Sequence, residues 1–354
     1  MRVVGYFSGR DPLPAVTPGK LDVVNFAFAT VAPDHAVVLP RPGTATHLRH
    51  VAALRARDPG LRVVLSIGGW GAGGFSEAAA TAEGRARFAS SAMALLREYD
   101  LDGLDIDWEY PAHPGPGIGH SDDDRRTFVQ LLQALRAALD EEGRDRDRRY
   151  LLTIAAADGE AARGLDLPAI APLLDWINLM TYDFYGSLTP HTGHHAGLFQ
   201  SQATPGAERD TAQAVDEFLA AGVPPRKLHL GLAFYGKLFE GVGAAHDGLG
   251  QPHAGPVRFL SWAKIRRDYL PERAFARHWD ERAQAAWLWD AQGRRLVSYE
   301  DPEALRAKVR FARERGLGGV MYWEHDQDDG EQLLDVVRDA IAAPATRAVS
   351  PRSR

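Results

Sequence analysis

The stretch Leu101-Asp102-Gly103-Leu104-Asp105-Ile106-Asp107-Trp108-Glu109-Tyr110 combines a buried-strand pattern with several carboxylic acids. Because side chains alternate between the two faces of a strand, Asp105, Asp107 and Glu109 are predicted to share one face. The apolar residues between them then point the other way, into a core. Crowding and partial burial raise the pKa of at least one such carboxyl, and a proton held near neutrality is what a general acid needs. The stretch therefore predicts a strand that carries an acid-based site at its C-terminal end.

Further β-rich runs lie on both sides of this strand, with amphipathic helical segments between many of them. Alternating strands and helices are typical of a parallel sheet. The total of eight runs predicts an α/β fold, a (β/α)₈ TIM barrel, in which catalytic groups lie at the C-terminal ends of the strands. The runs are residues 3–7, 23–28, 63–67, 101–107, 151–155, 176–180, 228–234 and 319–323. The clearest helical segments are residues 85–99, 125–142, 210–221 and 302–315.

One interval, between the seventh run and the last long helix, is too long for an ordinary barrel loop. We predict that residues 1–235 and 301–343 form the catalytic barrel. Residues 236–300 are predicted to form a small α+β insertion between strand 7 and the following barrel helix, as one wall of a cleft. The Pro- and Arg-containing residues 344–354 are predicted to be a disordered tail.

The composition excludes several classes of protein. The chain has 354 residues, with 41 Lys+Arg against 47 Asp+Glu and a net charge of −6, which disfavours binding to nucleic acid. The absence of Cys excludes disulfides, thiolate metal sites and cysteine nucleophiles. No run approaches the roughly 20 apolar residues of a membrane span, and residues 1–7 are predicted to be a strand, with no signal-peptide core before them. We therefore expect a soluble chain without an export signal.

The acidic stretch resembles the signature Asp-x-x-Asp-x-Asp-x-Glu of the family 18 glycoside hydrolases, the chitinase family. The four acids at its positions are Asp102, Asp105, Asp107 and Glu109. Other segments similar to family motifs follow in order, so that the resemblance covers about residues 2–342. They are Ser66-Ile67-Gly68-Gly69-Trp70, Met180-Thr181-Tyr182-Asp183, Phe234-Tyr235-Gly236, Ser298-Tyr299-Glu300-Asp301 and Met321-Tyr322-Trp323-Glu324.

This resemblance implies a retaining, endo-acting hydrolase of β-1,4-linked N-acetylglucosamine polymers, in which the 2-acetamido oxygen of the substrate is the nucleophile. Glu109 is then the acid that protonates the leaving oxygen and later activates water. Asp107 orients the acetamido group and stabilises the positive charge, while Asp105 shares a proton with Asp107. Tyr182 donates its hydroxyl to the acetamido carbonyl oxygen.

The same resemblance implies a set of substrate-binding and supporting residues. Trp323 is expected to form the apolar floor under the reacting sugar, and Asp183 to hydrogen-bond a sugar hydroxyl. The remaining candidates are Met180, Tyr6, Phe26, Trp70, Tyr110 and Tyr235, with core packing the favoured role for Phe26. Supporting roles near the acids fall to Asp102, Ser66, Gly68 and Gly69. Lys237 departs from the Arg of many relatives, and it keeps the charge but loses the planar guanidinium fork.

Two further groups of residues have alternative interpretations. The tryptophans of the insertion are candidates for extra sugar subsites, although core packing is favoured for most of them: Trp262, Trp279, Trp287 and Trp289. The histidines at positions 191, 194, 195 and 325 match no zinc signature, so polar roles without a metal are favoured. We predict that the chain uses no cofactor.

The sequence thus predicts a chitinase whose partners are chitin or N-acetylglucosamine oligosaccharides. One alternative is a catalytically weak, chitin-binding lectin-like relative, which the intact set of acids disfavours. Another is an endo-β-N-acetylglucosaminidase acting on N-glycans, which the long insertion disfavours. We expect a monomer with no nucleic-acid or membrane partner. Family resemblance points to an extracellular location, although no signal peptide is present in this chain.

Overall fold

The computed structural model describes residues 1–9, 15–204 and 209–344. The predicted tail therefore lies, beyond residue 344, outside the described residues. The strands are β1 Arg2–Phe7, β2 Val23–Val31, β3 Val37–Val38, β4 Arg62–Gly68, β5 Gly103–Asp107, β6 Leu151–Ala156, β7 Trp176–Leu179, β8 Leu228–Ala233, β9 Tyr235–Glu240, β10 Arg258–Ser261, β11 Ala276–Asp280, β12 Ala285–Asp290, β13 Arg295–Tyr299 and β14 Gly319–Trp323. The helices are α1 Pro42–Ala53, α2 Phe75–Ala80, α3 Ala82–Glu98, α4 Asp124–Asp145, α5 Leu167–Ile170, α6 Thr211–Ala220, α7 Trp262–Lys264, α8 Pro302–Glu314 and α9 Gln332–Ala342.

A closed parallel barrel forms the centre of the molecule. Its strands follow the order β1-β14-β8-β7-β6-β5-β4-β2, and β1 also pairs with β2, which closes the ring. Within the described residues these eight strands are the eight runs that the sequence predicts, and helices separate most of them. The predicted (β/α)₈ barrel is therefore confirmed. No helix in the described ranges is long and apolar enough to cross a membrane.

The two faces of β5 have different surroundings, as the alternation of its residues predicts. Leu104 and Ile106 are buried in the layer between the barrel and its helices. Trp108 continues this layer: its ring stacks on Phe75 of α2 at 5.5 Å and meets Phe128 of α4 edge-on at 5.3 Å. Packing on this outer side orients the odd-numbered acids of the stretch toward the barrel interior.

A second, antiparallel sheet begins one residue after β8. Within the described residues it has five strands in the order β10-β9-β13-β12-β11. Trp287 and Trp289 of β12 are buried in a cluster of their own with Phe239 and Leu296. Trp262 is also buried, at the start of α7. Part of the sheet thus has a hydrophobic cluster of its own, while Trp262, Leu288 and Val297 pack into the main core.

One buried ion pair ties this second sheet to the barrel. Lys308 of α8 lies 2.8 Å from the carboxylate of Glu300, and both side chains are almost completely buried. Glu300 also accepts the backbone N–H of Ala233 at the end of β8, and Lys308 donates to the carbonyl oxygen of Thr181 after β7. The pair therefore joins the ends of two barrel strands, the exit of the second sheet and the following helix.

Replacing Lys308 by Met should lower the free energy of unfolding by about 3–5 kcal/mol, because it leaves the Glu300 charge buried without its partner. Lys264→Met is the matched control: this exposed lysine pairs with Asp268 on the surface, and its loss should cost less than about 1 kcal/mol. Urea unfolding followed by fluorescence measures both values. Equal losses in the two variants would contradict the assigned role of the buried pair.

Candidate active site

Asp105 is fully buried inside the barrel and accepts hydrogen bonds from four other strands. The hydroxyls of Tyr6 on β1 and Ser66 on β4 each donate at 2.8 Å. Thr153 on β6 donates at 2.5 Å, and the Asn178 amide on β7 donates at 3.3 Å. Burial raises the pKa of Asp105, although these four donors act to lower it. The first acid of the face is thus a buried, fully surrounded carboxyl.

Asp107 lies next along the same face, at the end of β5, and is also buried. Its Oδ1 atom has no hydrogen-bond partner among the described residues. Burial raises the pKa of Asp107 well above its usual value, and the neighbouring charges of Glu109 and Asp105 raise it further. Asp107 therefore has a buried carboxyl oxygen without a protein partner, and this oxygen is able to accept a hydrogen bond.

The end of β4 packs unusually closely against Asp107. Gly68 has φ +124°, and a Cβ atom there would lie 2.0 Å from the Asp107 carbonyl oxygen. The Gly69 N–H donates to the same oxygen at 2.9 Å. A side chain at Gly68 would displace the strand end that carries the acid. This contact is a structural role for both glycines.

Glu109 follows β5 and is 8% exposed, at the mouth of the barrel. Burial raises its pKa to about 7, the negative charge of Asp183 adds to the rise, and a hydrogen bond with Tyr110 opposes it. Trp70, which is 60% exposed, meets the ring of Tyr110 edge-on at 6.2 Å. With a pKa near 7, Glu109 exchanges its proton readily at neutral pH, so it is able to act as an acid and as a base.

Asp183 lies after β7, and its side chain is half exposed. It accepts a hydrogen bond from the Tyr235 hydroxyl at 2.7 Å, and the Lys237 ammonium lies 2.9 Å away. His195 Nδ1 lies 3.7 Å from the same oxygen. Burial acts to raise the pKa of Asp183, but these neighbours outweigh it and hold the pKa at about 2. Asp183 therefore stays ionised over the pH range in which Glu109 gains and loses its proton.

Tyr182 lies at the barrel mouth next to the acids. Its hydroxyl lies 3.8 Å from the sulfur of Met321 on β14. Burial raises its pKa well above the usual value, and the charges of Asp107, Asp183 and Glu109 add to the rise. The hydroxyl consequently keeps its proton and is a hydrogen-bond donor.

The apolar floor of the site is built around Trp323 at the end of β14. Its ring lies 5.9 Å from that of Tyr6 and stacks on Phe28 at 5.6 Å with an interplanar angle of 15°. Met180 packs against the same interior cluster. A flat aromatic surface at this position is suited to the C–H face of a sugar ring.

Phe26 packs in the core, the role favoured for it from the sequence, and Phe28 takes the place at the barrel mouth. Phe26 is fully buried in the outer layer between barrel and helices. The register of β2 against β4 shifts between Ala27 and Ala29, so Phe28 lies inside the barrel mouth. Simple alternation would put both phenylalanines on one face, and no residue in the run signals the shift.

Other predicted residues lie away from the acids. Asp102 is buried at the start of β5 and pairs with Arg55, Arg62 and Arg148, so its role is structural. Of the four histidines singled out from the sequence, His195 lies against Asp183, whereas His194 pairs with Asp280 and His325 with Tyr322. No group of three or more His, Asp or Glu in the described ranges is arranged to hold a metal ion.

Comparison with known proteins identifies the class to which this fold and site belong. The sequence profile described as "Glycosyl hydrolases family 18" matches residues 2–328. The chain therefore belongs to glycosyl hydrolase family 18, as the acidic signature indicates.

Several individual proteins are similar to it. Chitinase A1 of Niallia circulans is 34% identical over 318 residues, which cover 85% of this chain and 46% of the relative. Chitotriosidase-1 of Mus musculus is 33% identical over 355 residues, which cover 95% of this chain and 75% of the relative. A solved structure of a family 18 N-acetylglucosaminidase from Paenibacillus barengoltzii is 36% identical, with a TM-score of 0.90, and the match covers 96% of this chain and 99% of that one. The chain thus spans less than half of the Niallia relative.

The raised pKa of Glu109 is open to direct titration. Asp183→Asn should lower that pKa because it removes a negative neighbour, and Tyr110→Phe should raise it because it removes a hydrogen bond that favours the ionised form. Carbon-13 NMR of labelled glutamate carboxyls measures the pKa, with the resonance assigned by its loss in Glu109→Gln. Asp268→Asn makes the same charge change on the surface and should leave the titration unmoved. Shifts of the opposite sign would contradict the assigned environment.

Proposed function

We propose that the chain is a chitinase: a retaining hydrolase of β-1,4 linkages in chitin and N-acetylglucosamine oligosaccharides that uses substrate-assisted catalysis. The observation that carries the proposal is the pair at the end of β5. Asp107 is buried with a free acceptor oxygen, and beside it Glu109 has a pKa of about 7. Asp107 is able to accept the N–H of a 2-acetamido group, and Glu109 is able to donate a proton to the neighbouring glycosidic oxygen. The pair therefore suits a sugar that carries a 2-acetamido group.

The spacing of the acids argues against an ordinary two-carboxylate mechanism. Retaining enzymes of that type hold the nucleophile and the acid only about 5–5.5 Å apart. Asp107 and Glu109 are two residues apart along one strand direction, which spans roughly 6.6 Å at the backbone. The unpartnered Asp107 oxygen also points to a hydrogen-bonding role. A nucleophile supplied by the substrate itself fits this arrangement.

In the first step, Glu109 transfers its proton to the glycosidic oxygen as the bond from that oxygen to the anomeric carbon breaks. The acetamido carbonyl oxygen attacks the anomeric carbon, and a cyclic oxazolinium ion forms. Asp107, which shares a proton with Asp105, accepts the acetamido N–H and stabilises the positive charge that develops on the ring. The buried surroundings of Asp107 strengthen this interaction because little water screens it.

Neighbouring side chains orient the reacting sugar. The Tyr182 hydroxyl, which stays protonated, donates to the acetamido carbonyl oxygen and aligns it for attack. Asp183 stays ionised and accepts a hydrogen bond from a sugar hydroxyl. Trp323 lies under the ring as an apolar floor. In well-oriented intramolecular reactions, alignment of this kind lowers the activation free energy by up to about 7–11 kcal/mol.

In the second step, a water molecule attacks the anomeric carbon from the side that the leaving group has vacated. Glu109, now a carboxylate, takes a proton from that water, and the oxazolinium ring opens to restore the acetamido group. Two inversions at one carbon retain the β configuration. Every proton and bond is accounted for by Glu109, water and the substrate.

We also propose that residues 236–300 form an insertion that acts as one wall of the cleft. The second sheet supports this division, because β9 carries Tyr235 and Lys237 to the side of Asp183. As partners we propose the sugar chain alone, with the protein acting as a monomer and without nucleic acid or membrane.

A second candidate function is that of an N-acetylglucosaminidase. The Paenibacillus protein with that activity in its description is 36% identical to this chain over almost its whole length. The same acids and acetamido chemistry serve both functions. Product analysis on a ladder of N-acetylglucosamine oligomers separates them, because release of single sugars from every oligomer is expected only from the second. A lectin-like role is disfavoured because the acids and Tyr182 are all present.

Glu109→Gln should lower kcat on chitin oligomers by about 10²–10⁴-fold, since the amide cannot donate the proton, while binding is largely kept. Release of reducing ends measures turnover, and calorimetry measures binding. Glu98→Gln changes an exposed glutamate that pairs with Arg49 on the surface, and it should match the unaltered enzyme. Unchanged turnover in Glu109→Gln would refute the proposed acid.

Hydrolysis should yield the β-anomer first from acetylated oligomers and no product from fully deacetylated oligomers, because only the former carry the nucleophile. Proton NMR recorded within minutes of mixing distinguishes the anomers before they equilibrate. Turnover of deacetylated oligomers with retention would instead point to a protein carboxylate as the nucleophile. An initial α-anomer would exclude the retaining scheme altogether.

A further inference from the structure

We propose that Phe259, on β10 of the second sheet, is a stacking platform for an additional N-acetylglucosamine unit of the substrate chain. The inference rests on the proposed function and extends the site beyond the reacting sugar. Phe259 is 47% exposed, and among the described phenylalanines and tryptophans only Trp70 is more exposed.

The ring of Phe259 is held in place on one face only. It stacks on Tyr235 with the ring centroids 4.3 Å apart and an interplanar angle of 21°. Tyr235 is buried, and its hydroxyl donates to Asp183. No other described ring stacks on Phe259. Its outer face is therefore an immobilised apolar surface open to solvent.

Lys237 fixes this platform relative to the polar part of the site. Its ammonium group lies 5.3 Å from the ring centroids of both Tyr235 and Phe259. The same ammonium lies 2.9 Å from the carboxylate of Asp183. A sugar whose hydroxyl reaches Asp183 thus has the Phe259 platform next to it, at a position that two side chains determine.

A matching arrangement lies across the barrel mouth. Trp70, after β4, is exposed and meets Tyr110, which hydrogen-bonds to Glu109. Phe259 is connected through Tyr235 to Asp183 on the side of β8. In the strand order of the described barrel, β4 and β8 are four places apart and hence on opposite sides of the ring. A sugar chain that crosses the mouth over the acids therefore meets an exposed aromatic ring at each side.

The tryptophans of the second sheet do not offer this surface. Trp262, Trp287 and Trp289 are buried, and Trp279 is partly buried against the main core. Among the large aromatic side chains of the described second sheet, Phe259 is the one that is widely exposed to solvent. Sugar C–H faces pack on such rings, so the platform suits a pyranose better than a charged or extended peptide group.

The test measures binding of N-acetylglucosamine oligomers in the Glu109→Gln background, where hydrolysis is too slow to consume the oligomer during the measurement. Adding Phe259→Ala should weaken binding of a hexamer about threefold to tenfold and leave binding of the shortest bound oligomer unchanged. Phe259→Trp should restore hexamer binding, because it keeps a ring at this position. In the active enzyme, Phe259→Ala should raise KM for long oligomers by a similar factor with kcat within about twofold.

Phe199→Ala is the matched control, because this phenylalanine is 40% exposed and packs edge-on against Phe311 on the outside of the barrel. It should bind all oligomers normally. Unchanged hexamer binding in Phe259→Ala would overturn the proposal. Equal weakening for short and long oligomers would also overturn it, since that pattern reports a displaced Lys237 and not a lost subsite. Failure of the proposed function appears differently, as an unaltered enzyme that hydrolyses no oligomer.

Discussion

The arrangement of the barrel strands depends on the carboxyl group of Asp105, which is fully buried inside the barrel. Asp105 accepts hydrogen bonds from side chains on β1, β4, β6 and β7, so a single residue of β5 connects most of the ring. Burying a carboxyl without such partners would cost several kcal/mol, and four donors offset that cost. Because Asp107 lies next to Asp105 on the same strand face, Asp105 also affects the position and the pKa of Asp107, one of the proposed catalytic residues.

Two carboxyls at the mouth of the barrel have opposite protonation behaviour for reasons that lie in their neighbours. Glu109 is buried near the negative charge of Asp183, and its pKa rises to about 7. Asp183 lies beside Lys237 and Tyr235, and its pKa falls to about 2. Environments that separate the pKa values of adjacent acids allow one to donate a proton while the other remains an acceptor. Lys237 therefore helps to separate the two pKa values, because its positive charge lowers the pKa of Asp183.

The barrel and the acid face were predictable because both follow from short-range periodicity. Alternation over residues 101–110 determines which acids share a face, and the apolar runs mark each strand. Phe28 was not predictable, because a register shift in β2 reverses its expected side. Phe259 was missed because its exposure depends on how β10 packs on β9, and no local pattern encodes that pairing. The contact of Lys237 with Asp183 likewise joins a strand of the second sheet to the loop that follows β7.

The short connections of the second sheet have a consequence for how the cleft works. Phe234 alone separates β8 from β9, and only Glu300 and Asp301 separate β13 from α8. All three residues are buried, and Glu300 is held by Lys308. Such joints leave almost no chain to act as a hinge, so the second sheet is rigidly joined to the barrel. Under the proposed function, adaptation during binding therefore falls to the sugar chain and not to this sheet.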